Sequence, residues 1–213
     1  ARSTPNTVRR DGPYPHADVE RLWSFILESL SAMQVEHGVD GISITTHGAT
    51  AALLAGDRLA LPVLDYEFSG PQETADGYDA VRPGFAETLS PALPNGLNIG
   101  AQLYWQSRHF ADAFATVTRI LTYPQYWAWR LSGVMASEVT SLGPIKPEIA
   151  TATGMRSETP VTCGIHDSNA SLLPHLGAHE EPFTILSTGT WAIAMTVGGD
   201  TSHLDPARDS LAN

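Results

Sequence analysis

Thr159-Pro160-Val161-Thr162-Cys163-Gly164-Ile165-His166-Asp167-Ser168-Asn169-Ala170-Ser171 and, after a short spacer, Thr184-Ile185-Leu186-Ser187-Thr188-Gly189-Thr190-Trp191 decide how this chain is read. The run from Thr159 to Gly164 predicts a strand, and Ser168 to Leu176 predicts a helix of small and apolar residues. Asp167 therefore stands at the mouth of a strand–helix turn. Further on, Phe183–Leu186 and Trp191–Val197 are β-rich runs joined by Ser187 to Thr190, which predicts a hairpin whose turn offers hydroxyls and backbone N–H groups. A base on one turn and an anion cradle on the other predict phosphoryl transfer to a hydroxyl.

Gly164-Ile165-His166-Asp167-Ser168-Asn169-Ala170-Ser171 and Leu186-Ser187-Thr188-Gly189-Thr190-Trp191 resemble the paired signatures of the FGGY carbohydrate kinases. The His-Asp pair and the Gly-Thr-Trp ending are most similar to the L-rhamnulose and L-fuculose kinase branch. The resemblance runs from about Pro13 to Asp209. It implies an α/β chain of the ribonuclease-H-like (actin-like ATPase) fold, with sugar and ATP meeting in a cleft. Residues 1–179 are then an incomplete N-terminal sugar lobe, and residues 180–213 the beginning of the C-terminal nucleotide lobe. The resemblance also implies ATP and Mg²⁺ as co-substrate and cation, and closure of the lobes on sugar.

Two departures from the family pattern are visible. Nothing before Ala1 supplies the opening strand pair with its Asp-x-Gly phosphate turn, and Ala136 to Gly143 passes at once to Pro144-Ile145-Lys146-Pro147 where the family runs on for dozens of residues. Both point to part of a larger polypeptide, with an internal segment missing near Ser141 to Gly143.

The chain has 213 residues, enough for one domain with a sizeable core or two small ones. Its net charge of −11 argues against a nucleic-acid or anionic-membrane partner. A nucleotide would need local help from glycine turns, helix N-termini and a divalent cation. The single Cys163 allows no internal disulfide, and no apolar run has membrane-spanning length, so a cytoplasmic protein is expected. The expected partners are a small sugar and ATP, and a homodimer is among the assemblies this reading allows.

Ala1 to Pro15 reads as a flexible lead-in with solvated arginines. Asp18 sits in the first turn of a helix running to about His37, whose stripe of Val19, Leu22, Trp23, Ile26, Leu30 and Met33 predicts a core face. Ile42 to Thr46 predicts a buried strand ending at the His47-Gly48-Ala49 turn. Ala51–Leu54 and Leu59–Val63 flank Gly56-Asp57, a hairpin signal. Two polar clusters, Thr46-His47-Gly48 and Asp65-Tyr66-Glu67, thereby fall at strand ends, where open α/β sheets hold ligands. A short helix is expected over 85–93, a turn at Pro94-Asn95-Gly96, helices over 98–108 and 110–121, a well-buried helix from Tyr123-Pro124 to Leu131, and a short helix over 147–154.

Asp167 is the candidate general base, although spacing alone favours reading it as a cap of the helix starting near Ser168, and the two roles are compatible. His166 would orient either the sugar or Asp167. The resemblance brings Gly48 in as a backbone sugar contact and Gln102 as a side-chain contact, with His47 and Asp65 beside them. It assigns Thr188, Gly189 and Thr190 to the phosphates, and no residue to a metal. Asp65-Tyr66-Glu67 stands where the family has an arginine-containing stretch, so the identity of the sugar stays open. The chain contains no Walker A loop, no Gly-x-Gly-x-x-Gly, no Gly-x-Ser-x-Gly elbow and no His-Glu-x-x-His pair. Two other readings remain: a metal-dependent hydrolase using His47, His166, Asp167 and His175, and a sugar-binding module without catalysis.

Overall fold

The computed structural model describes residues 1–135, 141–188, 192–208 and 210–212. Strands β1 (Val8–Arg9) and β2 (His16–Ala17) form a small hairpin before helix α1 (Val19–His37). Asp18 lies just outside α1 as its N-cap, its carboxylate accepting the Arg21 N–H at 3.3 Å. β3 (Thr45–Thr46), β4 (Ala51–Ala55) and β5 (Arg58–Leu59) follow, then the short helices α2 (Ala75–Asp79) and α3 (Phe85–Thr88). Next come α4 (Ile99–His109), α5 (Ala111–Phe114), β6 (Arg119–Thr122), α6 (Tyr123–Ser132), β7 (Ser141–Pro144) and α7 (Pro147–Thr153). The chain closes with β8 (Pro160–Thr162), β9 (Ile165–His166), α8 (Asp167–Leu176), β10 (Phe183–Thr188) and β11 (Ala192–Val197). Among the described residues no helix is long and apolar enough to cross a membrane.

Two pairings place the site. β4 is the centre of an antiparallel sheet in the order β5-β4-β6. The β4–β5 turn is the expected Gly56-Asp57, with Gly56 at φ +61°. β3 pairs with β9 in parallel, Thr45 opposite Ile165 and Thr46 opposite His166, and an upstream bridge joins Ile42 to Val161. The register slips by one residue between these pairings, at Cys163-Gly164. Gly164 packs against Pro124, where an added Cβ would stand 2.6 Å from the proline Cβ and 2.7 Å from its carbonyl oxygen. Only glycine lets the bulged strand lie so close to the start of α6.

The core is built from β4 and α6 outward. Ala52, Leu54, Val63, Leu121, Tyr123, Tyr126, Trp127 and Trp129 form one cluster against α1, while Leu131, Ile145, Ile149 and Val161 form another beneath α7. Arg130 ties α1 to α6, its guanidinium 4.3 Å above the Trp23 ring and 2.8 Å from Glu20 Oε1.

Several expectations are corrected. The segment 110–121 is not one helix: α5 ends at Phe114, and Arg119–Thr122 pairs with β4, which buries Leu121 in the core and leaves Ile120 exposed. The short helix expected over 85–93 stops at Thr88, where Leu89 turns left-handed at φ +49°. The Ile42–Thr46 segment is not sealed: Ser43 and Thr45 are exposed, since only one of its faces packs on the core. Met33 is 42% exposed, and Leu27 takes its place in the apolar contact of α1. The N-terminal segment is held along α1. Arg21 donates to Thr4 Oγ1 at 2.9 Å and to the Pro5 carbonyl, and Arg2 donates to Ser29 Oγ at 3.3 Å.

Candidate active site

The β3–β9 pair brings the two sequence-distant clusters to one end of the sheet. Thr46-His47-Gly48 leaves β3 beside His166-Asp167, which leave β9. Gly48 lies directly against the His166 ring, where an added Cβ would meet Nε2 at 3.0 Å. A side chain here would have to push the imidazole back by a few tenths of an ångström.

Asp167 begins α8, one residue earlier than expected, and its carboxylate Oδ1 accepts the Ser168 N–H at 2.7 Å. The N-cap position is His166, which makes no side-chain capping bond, so Asp167 is the first helical residue and not the cap. His166 Nε2 stands 3.0 Å from the same oxygen. Both contacts fall on Oδ1, and Oδ2 has no protein partner among the described residues. The Asp167 side chain is 55% exposed, so the carboxylate is held in orientation yet open to an incoming group.

His47 and Asp65 share a cleft of about 40 Å³, lined also by Asn6, Thr50, Tyr66 and Tyr123. His47 Nδ1 lies 3.0 Å from the Gly48 carbonyl and 3.3 Å from Thr50 Oγ1, which fixes the ring. Its faces pack on Tyr66 and Tyr123, with centroids 4.8 and 5.3 Å away. Asp65 accepts the Glu67 N–H at 3.3 Å. A larger hollow of about 270 Å³ lies between the β1–β2 hairpin and residues 59–63, and none of the predicted site residues lines it.

Gln102 is brought to the same region, behind the His47-Gly48-Ala49 turn. It is 1% exposed, and its amide nitrogen donates to the carbonyls of Ala49 and Gly96. Gln102 thereby pins the His47-Gly48-Ala49 turn from behind, with Ala49 held left-handed at φ +51°. Thr188 is exposed at the end of β10, in register with Ala192. Gly189 and Thr190 lie outside the described residues, as do Ala136 to Thr140.

Asn6, Thr50 and Tyr123 were missed as cleft residues. Asn6 had no signal, because nothing in its segment marks it as docked. Tyr123 carried one, since it follows the strand and opens the helix, but its aromatic character reads first as core. The four residues of the hydrolase reading do not gather: among the described residues no group of three His, Cys, Asp or Glu could hold a metal ion. His175 instead stacks on His179 at the far end of α8.

Residues 180–213 match the model of the carbohydrate kinase FGGY C-terminal domain. No curated protein matches the chain. Among solved structures, a carbohydrate kinase from Novosphingobium aromaticivorans is 35% identical with a TM-score of 0.88, over 99% of this chain and 55% of that one. A xylulose kinase from Rhodospirillum rubrum is 18% identical with a TM-score of 0.70, over 86% of this chain and 47% of its own. A ligand-bound xylulose kinase from Lactobacillus acidophilus is 14% identical with a TM-score of 0.66, over 79% and 43%. The chain thus spans about half the length of the structures it matches, and its fold is the ribonuclease-H-like, actin-like ATPase fold of the FGGY sugar kinases.

Proposed function

We propose that this chain supplies the sugar-binding lobe, residues 1–179, and the opening hairpin of the nucleotide lobe, residues 180–213, of an ATP-dependent ketose kinase. The observation that carries the reading is the parallel β3–β9 pair, which sets the His47-Gly48 turn beside the His166-Asp167 turn at one sheet end. Open α/β sheets bind ligands at such an end. The likeness of fold to the Novosphingobium carbohydrate kinase supports the same reading.

A ketose hydroxyl is a weak nucleophile near neutral pH. Asp167 Oδ2 accepts its proton as the phosphorus–oxygen bond forms, a contribution of about 10²–10⁴ in rate. The Ser168 N–H and the His166 imidazole hold the other oxygen, so the carboxylate need not reorganise. His166 and Gly48 border the acceptor, and His47 and Asp65 hold its further hydroxyls. ATP enters with Mg²⁺ as a substrate. An exposed Thr188 hydroxyl at the mouth of the β10–β11 turn fits a phosphate oxygen, and Gly189 and Thr190 complete that turn in this reading. The acceptor is a ketose, with 6-deoxyketoses such as L-rhamnulose and L-fuculose among the candidates.

The test is a coupled ADP-release screen of the full-length polypeptide across ketoses, aldoses and polyols. ATP-dependent turnover with a ketose is expected. Release of ADP with no ketose, or phosphorylation of aldoses alone, would overturn the reading.

A further inference from the structure

His175 and His179 are assigned no part in the sugar site, yet their rings meet through their nitrogens. His175 Nδ1 stands 3.4 Å from His179 Nε2, with the ring planes 17° apart and the centroids 5.5 Å apart. Local structure produces the pairing. The N–H groups of Ala178 and His179 both close on the His175 carbonyl, at 3.0 and 3.2 Å, so the helical turn continues past the end of α8. Side chains four residues apart then project from one side. The His179 ring also lies 5.4 Å from that of Phe183, the first residue of β10, which backs it. His175 is half-buried and His179 exposed, so the pair is reached from solvent.

The spacing is that of two ligands on one metal ion. Imidazole nitrogens bind Zn²⁺ at about 2.0–2.1 Å, and two of them at the tetrahedral angle lie roughly 3.3–3.4 Å apart. A square-planar or octahedral ion would need them nearer, at about 3 Å. Histidines at i and i+4 of a helical turn can share one zinc ion. No third His, Cys, Asp or Glu completes a group with them among the described residues, so water fills the remaining positions. The net charge of −11 favours a cation. Without metal, one ring N–H donates to the other ring's nitrogen. Binding moves that proton to the opposite nitrogen of its own ring, which frees both facing lone pairs.

We propose that His175 and His179 form a two-imidazole clip for a divalent transition-metal cation, best matched by Zn²⁺. The bound ion joins the last turn of α8 to the connection that enters β10. Two protein ligands make an exchangeable site, because structural zinc sites use four and catalytic ones three. Imidazole also selects against Mg²⁺, which takes oxygen ligands. The clip uses none of the residues assigned to sugar or phosphate, so it stands apart from the kinase reading.

The experiment titrates ZnCl₂ by calorimetry into tag-free, chelator-treated full-length protein and its His175→Gln, His179→Gln and doubly substituted variants. Urea unfolding of the metal-free proteins checks that each is folded. Either single substitution is expected to weaken one zinc site by about tenfold or more, and the double variant to lose it. Excess Mg²⁺ leaves the site occupied. In the native protein, NMR is expected to show the ring signals of His175 and His179 moving together on zinc addition while those of His47 and His166 stay, an arm that needs no variant to fold. Zinc binding undiminished in the double variant, displacement by Mg²⁺, or unmoved ring signals of His175 and His179 overturns the inference and leaves the kinase reading standing.

Discussion

Replacing Gln102 with Leu separates two roles that a buried glutamine can play at a sugar site. Leu keeps most of the side-chain volume on α4 and removes the amide. The amide nitrogen serves the carbonyls of Ala49 and Gly96, from two loops that no strand pairing joins. A buried acceptor stranded by deletion of its donor costs about 1–3 kcal/mol, so the two together cost roughly 2–5 kcal/mol once some water has returned. Ala49 sits at φ +51°, a conformation costing about 1–2 kcal/mol for a residue with a Cβ, so the freed turn relaxes away from it. That motion displaces Gly48 and His47. Urea unfolding of the native and Gln102→Leu proteins, fitted with a common m-value, measures the first effect, and KM for the best ketose measures the second. A loss below about 1 kcal/mol, with KM unchanged, would show that the amide does not hold the turn. A raised KM with full stability would instead make Gln102 a direct sugar contact.

Gly164→Ala is expected to destabilise by about 1–3 kcal/mol, because its methyl would have to displace Pro124 backbone rather than a flexible side chain, and the unfolding midpoint checks this. Asp11 is held at about 2 by its hydrogen bonds and ion pair with Arg9. Its folded-state pKa is depressed, so its contribution is present above the usual carboxylate range and is lost as pH falls toward about 2. Carboxyl NMR titration of Arg9→Ala is expected to raise that midpoint toward the ordinary carboxylate range, and an unmoved midpoint would refute the pairing.

Much of the site was legible because it rests on strand–turn–helix punctuation. Gly164-Ile165-His166-Asp167 and Thr46-His47-Gly48 each mark a strand end, and parallel pairing is a common way for such ends to meet. The Gly56-Asp57 hairpin and the Pro94-Asn95-Gly96 turn were equally local, with Leu97 N–H closing on the Pro94 carbonyl at 3.2 Å. Local pattern misread what tertiary partners decide. The 110–121 segment keeps a helical period through Phe114 and then surrenders to β4. Gln102 looks like any helix glutamine until Ala49 and Gly96 are placed against it. The N-terminal arginines look solvated, yet Arg21, itself on α1, anchors Thr4 and Pro5 and so delivers Asn6 to the cleft. No spacing within residues 1–15 encodes that contact.

The most direct measurement is steady-state phosphorylation by Asp167→Asn, paired with calorimetric sugar binding. The amide retains an oxygen for the Ser168 N–H, so the helix start and the sugar contacts survive. The expected result is a kcat lower by about 10²–10⁴ with sugar affinity nearly unchanged. A kcat within about tenfold of native, with the sugar still bound, would remove Asp167 as the base that takes the hydroxyl proton.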